Sequence, residues 1–282
     1  MKTKNKGIKI LKIILIVLLT LVVAFSIFIY FFLGKAGRIN IFSSIDMSSK
    51  MQGEVLNASN GVTLPYNIYV PQGYDESKEY PLVLFMHGSG ERGTDNVKQA
   101  TKNSIMQTLL SEENLQKYPC IVIAPQCPED KRWSVMIGAE QPIFDKAREE
   151  PLIEAVNELV STVAQSYSVD ENRMYATGIS MGAGGLYSLL MHNPDTFAAA
   201  VITCGYAPVN GAEILKDLPM KIYHGDADSI TPVDYSRDFV NALEAAGADK
   251  YEYIEYPNEN HTVWELAFRE ADLYPWLFAQ AK

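Results

Sequence analysis

The sequence predicts an α/β fold: a mostly parallel central sheet flanked by helices, preceded by one transmembrane helix. Short β-rich runs alternate with helical ones, the runs within "PLVLFMHG" and "CIVIAPQ" are apolar without interruption, and a long uncharged segment lies near the N-terminus. Strands buried on both faces of a parallel sheet give such continuous runs. The 282 residues, 48% of them hydrophobic, are enough for one large domain or two small ones.

Seven strands and three helices are predicted along the chain, and Gly, Pro or Asp marks each change between them. The strand candidates are Tyr66–Val70, Leu82–Met86, Cys120–Ala124, Arg173–Thr177, Ala199–Thr203, Met220–His224 and Tyr251–Tyr256. The helical windows are residues 151–167, 181–191 and 234–246. Pro151 and Gly247 are ordinary start and stop signals. This βαβα order predicts one domain that binds its ligands at the carboxyl ends of the strands.

The N-terminus differs in composition from the rest of the chain. Residues 1–12 carry five lysines, whereas residues 13–33 have no charge and only two polar side chains, Thr20 and Ser26. Because about 20 apolar residues span a bilayer, residues 13–33 are predicted as an uncleaved signal-anchor helix. A cleavable signal peptide is the alternative. The run is longer than a usual signal core and ends in bulky residues.

The charges around this segment predict its orientation. Five lysines precede it and only Lys35 and Arg38 follow, so residues 1–12 should form a cytoplasmic basic tail and the domain should lie outside the cell. Cleavage of a signal would instead release a secreted protein. Residues 34–52 are predicted as a linker and residues 53–282 as the folded domain.

The charge of the remaining chain restricts its partners. The first 38 residues hold seven basic residues and no acidic one, which leaves 17 basic against 34 acidic residues, a net charge of −17. Such a domain should repel nucleic acid and anionic lipid. The three cysteines have no zinc-ligand spacing. Cys120 and Cys127 could form a short-loop disulfide outside the cell, or remain as small buried thiols.

Ser180 lies in "TGISMGAGG", directly after a predicted strand and directly before a predicted helix. A tight strand-to-helix turn needs residues without bulk two positions on either side of its centre, and Gly178 and Gly182 meet that demand. Such a turn displays the hydroxyl at a helix N-terminus, where the amide of Met181 can donate to a developing oxyanion. The pattern therefore predicts a serine nucleophile.

A serine nucleophile needs a base and an acid. Of the four histidines, His261 is the best candidate for the base, because it follows the last predicted strand in a loop that can reach over the sheet edge. The acid should come earlier, after the strand "MKIYHG", where Asp226 and Asp228 both fit. Spacing alone leaves the choice between these two carboxylates open.

Four sequence motifs give the chain a resemblance to a known family. Four motifs occur in order, "LFMHGSGERG", "TGISMGAGG", "HGDADSITP" and "NENHTVW". Together they resemble the α/β-hydrolase superfamily and, within it, the secreted carboxylesterase and predicted-peptidase group marked by an "HGSGERG"-like loop. The resemblance extends over roughly residues 66–278, and it implies that residues 53–282 form an α/β-hydrolase catalytic domain.

The resemblance implies a role for individual residues. Ser180 would be the nucleophile and His261 the base. Asp228 would be the acid, because in such enzymes the acid stands four residues before a proline, here Pro232. Asp226 would then shape the loop.

Two further positions follow from the resemblance. The backbone amide of Ser89 would be the second oxyanion donor, beside that of Met181. Trp133 falls where this group often places a wall of the substrate pocket, although it could equally anchor a surface loop.

The implied chemistry is hydrolysis of a carboxylic ester through an acyl-enzyme, which requires no metal or cofactor. A serine peptidase with the same three residues is the first alternative. A catalytically silent, membrane-tethered binding protein is the second. The substrate would be a small-molecule or polysaccharide-linked ester, and the sequence leaves its acyl group and the oligomeric state open.

Overall fold

The computed structural model describes residues 47–101, 103–140 and 142–282. The predicted basic tail, the transmembrane helix at 13–33 and the linker as far as residue 46 lie outside the described residues. Among the helices of the described ranges, none combines the length and the apolar character needed to cross a membrane.

An eight-stranded sheet forms the centre of the described chain. The strands are β1 (Gln52–Asn57), β2 (Thr63–Tyr69), β3 (Tyr80–Met86), β4 (Ile121–Pro125), β5 (Val169–Ile179), β6 (Ala199–Thr203), β7 (Met220–Gly225) and β8 (Tyr251–Tyr256). Their order is β1-β2-β4-β3-β5-β6-β7-β8. The six strands from β4 to β8 in this order are parallel, whereas β2 runs antiparallel to both β1 and β4. The predicted mostly parallel sheet is therefore confirmed, and all seven predicted strands are present.

Strand β1 was not predicted, and its position in the sheet explains why. It lies at the edge of the sheet and pairs only with β2. None of its six residues is buried, and Val55 is 52% exposed. An edge strand that packs only the half-buried Leu56 against the core needs no apolar pattern, so its sequence gives no strand signal.

Apolar residues cover both faces of the sheet. In β3, Leu82, Leu84 and Met86 point into one hydrophobic core, and the intervening Val83 and Phe85 point into a second core on the opposite face. All five side chains are fully buried. Successive residues of a strand face opposite sides, so a strand between two cores must be apolar at every position.

Helices cover the two faces. They are α1 (Lys98–Thr101), α2 (Ser104–Leu109), α3 (Glu112–Lys117), α4 (Pro151–Ser166), α5 (Met181–His192), α6 (Ala212–Leu215), α7 (Asp234–Ala245), α8 (Trp264–Ala267) and α9 (Leu273–Phe278). The three predicted helices correspond to α4, α5 and α7, which pack on the first core. Helices α2, α8 and α9 pack on the second.

The folded unit begins earlier than residue 53. Met47 and Met51 are 6% and 9% exposed and belong to the second core. The final residues of the segment predicted as a linker therefore belong to the domain. These two methionines are the apolar side chains that tie the start of the described chain to the core.

The cysteines are free thiols. Cys120, Cys127 and Cys204 are all buried, and none forms a disulfide. Burial raises the pKa of Cys120 and Cys127 to about 12. Of the two alternatives left open by the sequence, the structure has the small buried thiols, which fill space and stay protonated.

Candidate active site

Ser180 lies in the turn between strand β5 and helix α5, where the sequence predicted a displayed hydroxyl. Its backbone has φ 51° and ψ −118°, and a left-handed conformation costs a residue other than glycine on the order of 1–3 kcal/mol. A Cβ on Gly182 would lie 2.0 Å from the carbonyl oxygen of Met86, at the end of β3. The Gly-x-Ser-x-Gly pattern is therefore required by close backbone approach.

The side chains of Ser180, His261 and Asp228 form a continuous chain of hydrogen bonds. Ser180 Oγ lies 2.7 Å from Nε2 of His261, and Nδ1 of His261 lies 2.7 Å from Oδ2 of Asp228. A carboxylate only accepts, so in neutral His261 the hydrogen sits on Nδ1 and the Nε2 lone pair faces the serine hydroxyl. In this arrangement an imidazole can take the hydroxyl proton.

Asp228 lies in the turn after β7, with its side chain removed from solvent. Its Oδ1 accepts from the amides of Ile230 at 2.8 Å and Thr231 at 2.9 Å. Burial raises the pKa of Asp228, but hydrogen bonds from His224, His261 and these two amides outweigh it, so the pKa lies well below the usual range. The carboxyl is therefore ionised at neutral pH.

Asp226 has a different position. It is exposed, and its carboxylate accepts from the amide of Asn258 at 2.6 Å. Asp226 therefore braces the turn, whereas Asp228 is the carboxylate that lies against the imidazole. The structure thus distinguishes Asp228 from Asp226, which spacing alone could not do.

The loop that carries Asp228 is tied directly to the loop that carries His261. Oδ1 of Asn260 accepts from the amide of Ser229 at 3.0 Å and from the amide of His261 at 2.7 Å. A Cβ on Gly225 would lie 2.3 Å from the carbonyl oxygen of Glu259, so the two loops are in contact. The Asn260 side chain, together with the backbone hydrogen bond from Ala227 to Glu259, therefore helps to fix the distance between the acid and the base.

The two amides predicted as oxyanion donors both begin helical turns. Met181 is the first residue of α5, and Ser89 is the first residue of a 3-10 turn at Ser89–Glu91. The first N–H groups of a helical turn have no acceptor within it and are free to bind an anion. A Cβ on Gly88 would lie 3.6 Å from Cβ of Ser180, which places the start of this turn next to the serine.

His87 supports this turn from within the core. Its Nδ1 lies 2.6 Å from the carbonyl oxygen of Gly88, and its Nε2 accepts from the amide of Cys127 at 2.9 Å. Burial lowers the pKa of His87 to about 4, so it is neutral at pH 7. The sequence showed His87 only as a strand end before a glycine, and gave no sign of this supporting role.

Comparison with known proteins agrees with this geometry. Residues 58–270 match the family model described as Esterase, putative esterase. The chain belongs to this esterase family. The curated protein named probable feruloyl esterase C of Aspergillus terreus is 27% identical over 177 residues, which are 62% of this chain and 59% of that protein.

Two solved structures are also similar to this esterase-family chain. A thermostable esterase has 34% sequence identity and a TM-score of 0.78, with 84% of this chain and 64% of that chain covered. The feruloyl esterase module from Clostridium thermocellum has 17% identity and a TM-score of 0.59, with 81% and 87% covered, and it shows the shared fold alone. The chain spans about three fifths of the length of the curated feruloyl esterase relatives that it matches.

Trp133 of this esterase-family protein is almost completely buried. It is 1% exposed, its indole N–H donates to the carbonyl oxygen of His87 at 3.0 Å, and the two rings lie 5.1 Å apart. A Cβ on Gly185 would lie 2.3 Å from Cβ of Trp133, so helix α5 also rests on it. Trp133 therefore supports the loop that carries Ser89, and it also belongs to the lining of a cleft, so the predicted pocket wall and its alternative of a loop anchor both stay open.

A cleft of about 610 Å³ is lined in part by Trp133. It is lined mostly by apolar surface, and Leu152 and the half-exposed Val135 belong to it. The cleft runs along the sheet edge at Thr63, near the carboxyl end of β4. Ligands of parallel α/β sheets bind at this edge.

One group of metal-ligating side chains occurs in the described ranges, formed by Cys204, His224 and Asp228, whose ligand atoms lie within 4.8 Å of one another. All three are already engaged. The thiol of Cys204 donates to the carbonyl oxygen of His261 at 3.3 Å, and both ring nitrogens of His224 have partners. A metal ion would have to break these hydrogen bonds, so the group is better explained as support for the acid.

Proposed function

We propose that this protein is a serine carboxylesterase in which Ser180 is the nucleophile, His261 the general base and Asp228 the acid. The observation that carries the proposal is the unbroken pair of 2.7 Å hydrogen bonds from the serine hydroxyl through the imidazole to a buried carboxylate. The backbone strain at Ser180 adds to it, because such strain is characteristic of a nucleophile held at a strand-to-helix turn.

In the first half of the reaction, Nε2 of His261 takes the proton from Ser180 Oγ as the oxygen attacks the ester carbonyl carbon. The amides of Ser89 and Met181 donate to the oxyanion of the tetrahedral intermediate. Asp228 stays ionised and stabilises the imidazolium. When the intermediate collapses, the C–O bond to the alcohol breaks and the alcohol leaves with the proton from His261.

In the second half, His261 takes a proton from water, and the hydroxide attacks the acyl group on Ser180. Collapse of the second intermediate breaks the bond to Ser180 Oγ, which regains its proton from His261, and the carboxylic acid is released. Each half begins and ends with neutral His261. The steps require no metal or cofactor.

The names of the relatives direct the choice of substrate. Those relatives are described as feruloyl esterases or esterases, which supports an ester of an aromatic or small acyl group, carried by a small molecule or a polysaccharide. Ester rather than amide cleavage is favoured because the matched family model and the thermostable esterase with 34% identity are both described as esterases.

We also propose that residues 13–33 anchor the enzyme in a membrane. Residues 13–33 contain no charge, and the lysines of residues 1–12 favour a cytoplasmic N-terminus and an extracellular catalytic domain. Protease added to intact cells should remove the domain, and sodium carbonate washing should leave the full chain in the membrane pellet. A domain that resists protease until the cells are lysed would contradict this topology.

The enzymatic proposal is tested with a panel of chromogenic esters from acetyl to longer acyl chains, together with feruloyl and acetyl-xylan-type esters and an aminoacyl amide. The wild-type chain should hydrolyse at least one ester, and Ser180→Ala should abolish that activity. Ser161→Ala is the matched control, because its exposed hydroxyl bonds only the carbonyl oxygen of Asn157, on helix α4.

The outcome also separates the alternatives. Turnover of the aminoacyl amide in preference to every ester would favour a serine peptidase. Ester hydrolysis that persists in Ser180→Ala would contradict the assignment of the nucleophile. Absence of any turnover, with retained binding of an ester, would favour the silent binding protein.

A further inference from the structure

We propose that His224 is a positioning residue for Asp228, so that two histidines rather than one hold the acid. This assignment rests on the proposed serine esterase function. His224 lies in strand β7, four residues before Asp228, and its side chain is fully buried. The sequence showed it only as the end of a strand before a glycine.

The hydrogen bonds of His224 fix which ring nitrogen carries its hydrogen. Nε2 lies 2.9 Å from the carbonyl oxygen of Thr231 and 3.3 Å from Oδ2 of Asp228, and Nδ1 lies 2.7 Å from Oγ of Ser236. A carbonyl oxygen can only accept, so the hydrogen is on Nε2. That N–H is shared between Thr231 and Asp228, while Nδ1 accepts from the hydroxyl of Ser236.

This donor acts on the oxygen that matters for the base. Oδ1 of Asp228 is already occupied by two backbone amides, so it cannot turn toward His261. Oδ2 is the oxygen bound by Nδ1 of His261, and it is also the one that Nε2 of His224 approaches. The carboxylate is inaccessible to water, so no solvent molecule can replace a lost donor.

The other titratable groups near His224 are satisfied by different partners. Glu255 stands opposite His224 on strand β8, and its carboxylate is held by Arg237 at 2.6 and 3.0 Å. The thiol of Cys204 donates to the carbonyl oxygen of His261 and also lies within 4.8 Å of the Asp228 carboxylate, so it is a second polar neighbour of the acid. Asp228 is therefore the carboxylate whose hydrogen bonding depends on His224.

The consequence is a specific effect on proton transfer. A carboxylate that loses a donor becomes more basic, and it then holds the proton of its imidazole partner more strongly. Loss of the His224 donor should lower kcat and also shift the acid limb of the kcat/KM profile to higher pH. A histidine that served only to fill space would lower stability without moving this limb.

The experiment compares His224→Asn with His224→Gln on the best ester of the panel. The Gln side chain can place an amide N–H close to the position of Nε2, whereas the shorter Asn side chain cannot. We expect His224→Asn to lower kcat by about 10- to 100-fold and to move the acid limb up by about half a pH unit or more. We expect His224→Gln to recover most of kcat and the wild-type limb. His192→Asn, at the far end of helix α5, is the matched control and should leave both unchanged.

Two results would overturn the assignment. One is a His224→Asn variant with wild-type kcat and pH profile. The other is an equal loss of kcat in both variants, with reduced Tm and no shift of the limb, which would mean a structural role alone.

A measurement on the wild-type chain covers the case in which the variants do not fold. In 15N-labelled protein, the ring-nitrogen spectrum should show His224 with its hydrogen on Nε2, and a hydrogen on Nδ1 would overturn the proposal. This spectrum requires no turnover. An inactive wild-type chain would therefore count against the proposed function without deciding the role of His224.

Discussion

The nucleophile and the acid–base pair of the candidate site are held in place by different physical means. Ser180 belongs to one continuous strand–turn–helix unit, and its position is set by a left-handed backbone and by the contact of Gly182 with Met86. Asp228 and His261 are 33 residues apart in the chain and meet only because their loops share hydrogen bonds. Steric exclusion fixes the first half of the site, and polar contacts between loops fix the second.

This difference predicts how each half of the candidate site should respond to substitution. A clash between backbone atoms cannot be relieved by a small local adjustment. A substitution at such a contact should therefore lower the stability of the fold as well as the activity. Hydrogen bonds between loops can be removed one at a time, so substitution there should lower the rate and leave the fold largely intact. Four predictions test this contrast.

The largest effect is expected at the acid. Asp228→Asn should lower kcat on the order of 10⁴-fold, because an amide in place of the carboxylate no longer fixes the hydrogen on Nδ1 of His261 or stabilises the imidazolium. Asp226→Asn is the matched control and should stay within a few-fold of wild type, since Asp226 only accepts from the amide of Asn258. Steady-state kinetics on one ester measure both. A collapse at 226 with normal activity at 228 would reverse the assignment.

The next largest effect is expected at the turn between β5 and α5 that carries Ser180, called the elbow below. Gly182→Ala would place a Cβ 2.0 Å from a backbone oxygen, so the chain should lose several kcal/mol of stability or fail to accumulate as folded protein. Gly90→Ala is the control, because a Cβ there meets no atom within 4 Å. Urea denaturation compares the two. A stable Gly182→Ala variant would show that the elbow is less constrained than its geometry indicates.

A smaller effect is expected from His87 as pH falls. Burial lowers its pKa in the folded protein to about 4 from the ordinary value of 6.5, so the unfolded chain takes up a proton first. Stability from this group is complete above pH 6.5 and decreases as the pH falls toward 4. The expected loss between pH 7 and pH 5 is about 2 kcal/mol.

His87→Gln serves as the comparison for this pH effect. Glutamine does not titrate, so the variant should lose about 2 kcal/mol less than the wild type between pH 7 and pH 5. Urea denaturation at the two pH values measures the difference. Equal losses in both proteins would exclude His87 as the group responsible.

The smallest effect is expected at the link between the loops. Asn260→Ala removes the acceptor for the amides of Ser229 and His261 and should lower kcat about tenfold with little change in Tm. Asn260→Asp keeps an acceptor oxygen at this position and should retain more activity. Activity and thermal melting of the same preparations test this. A large drop in Tm would mean that the link stabilises the fold and not merely the site.

Much of this architecture could be predicted from the sequence because it depends on local pattern. The buried strands are continuous apolar runs, and the elbow combines a strand, two spaced glycines and a helix start. Edge strand β1 was missed because it buries none of its residues. The supporting position of His87 was missed because it depends on a partner from a distant part of the chain.

The sequence by itself determined the fold class, the place of Ser180 and the order of the candidate residues, since these follow from the periodicity of burial and from the steric demands of one turn. Spacing left Asp226 and Asp228 open, and the family resemblance implied Asp228. Only the tertiary structure shows which carboxylate the imidazole meets, and it also brings His224 to the acid. The physical reason is that the direction of a side chain in a turn is set by its tertiary contacts. Two carboxylates separated by one residue in a turn have the same local preferences, and only the neighbouring loop decides which of them the imidazole meets.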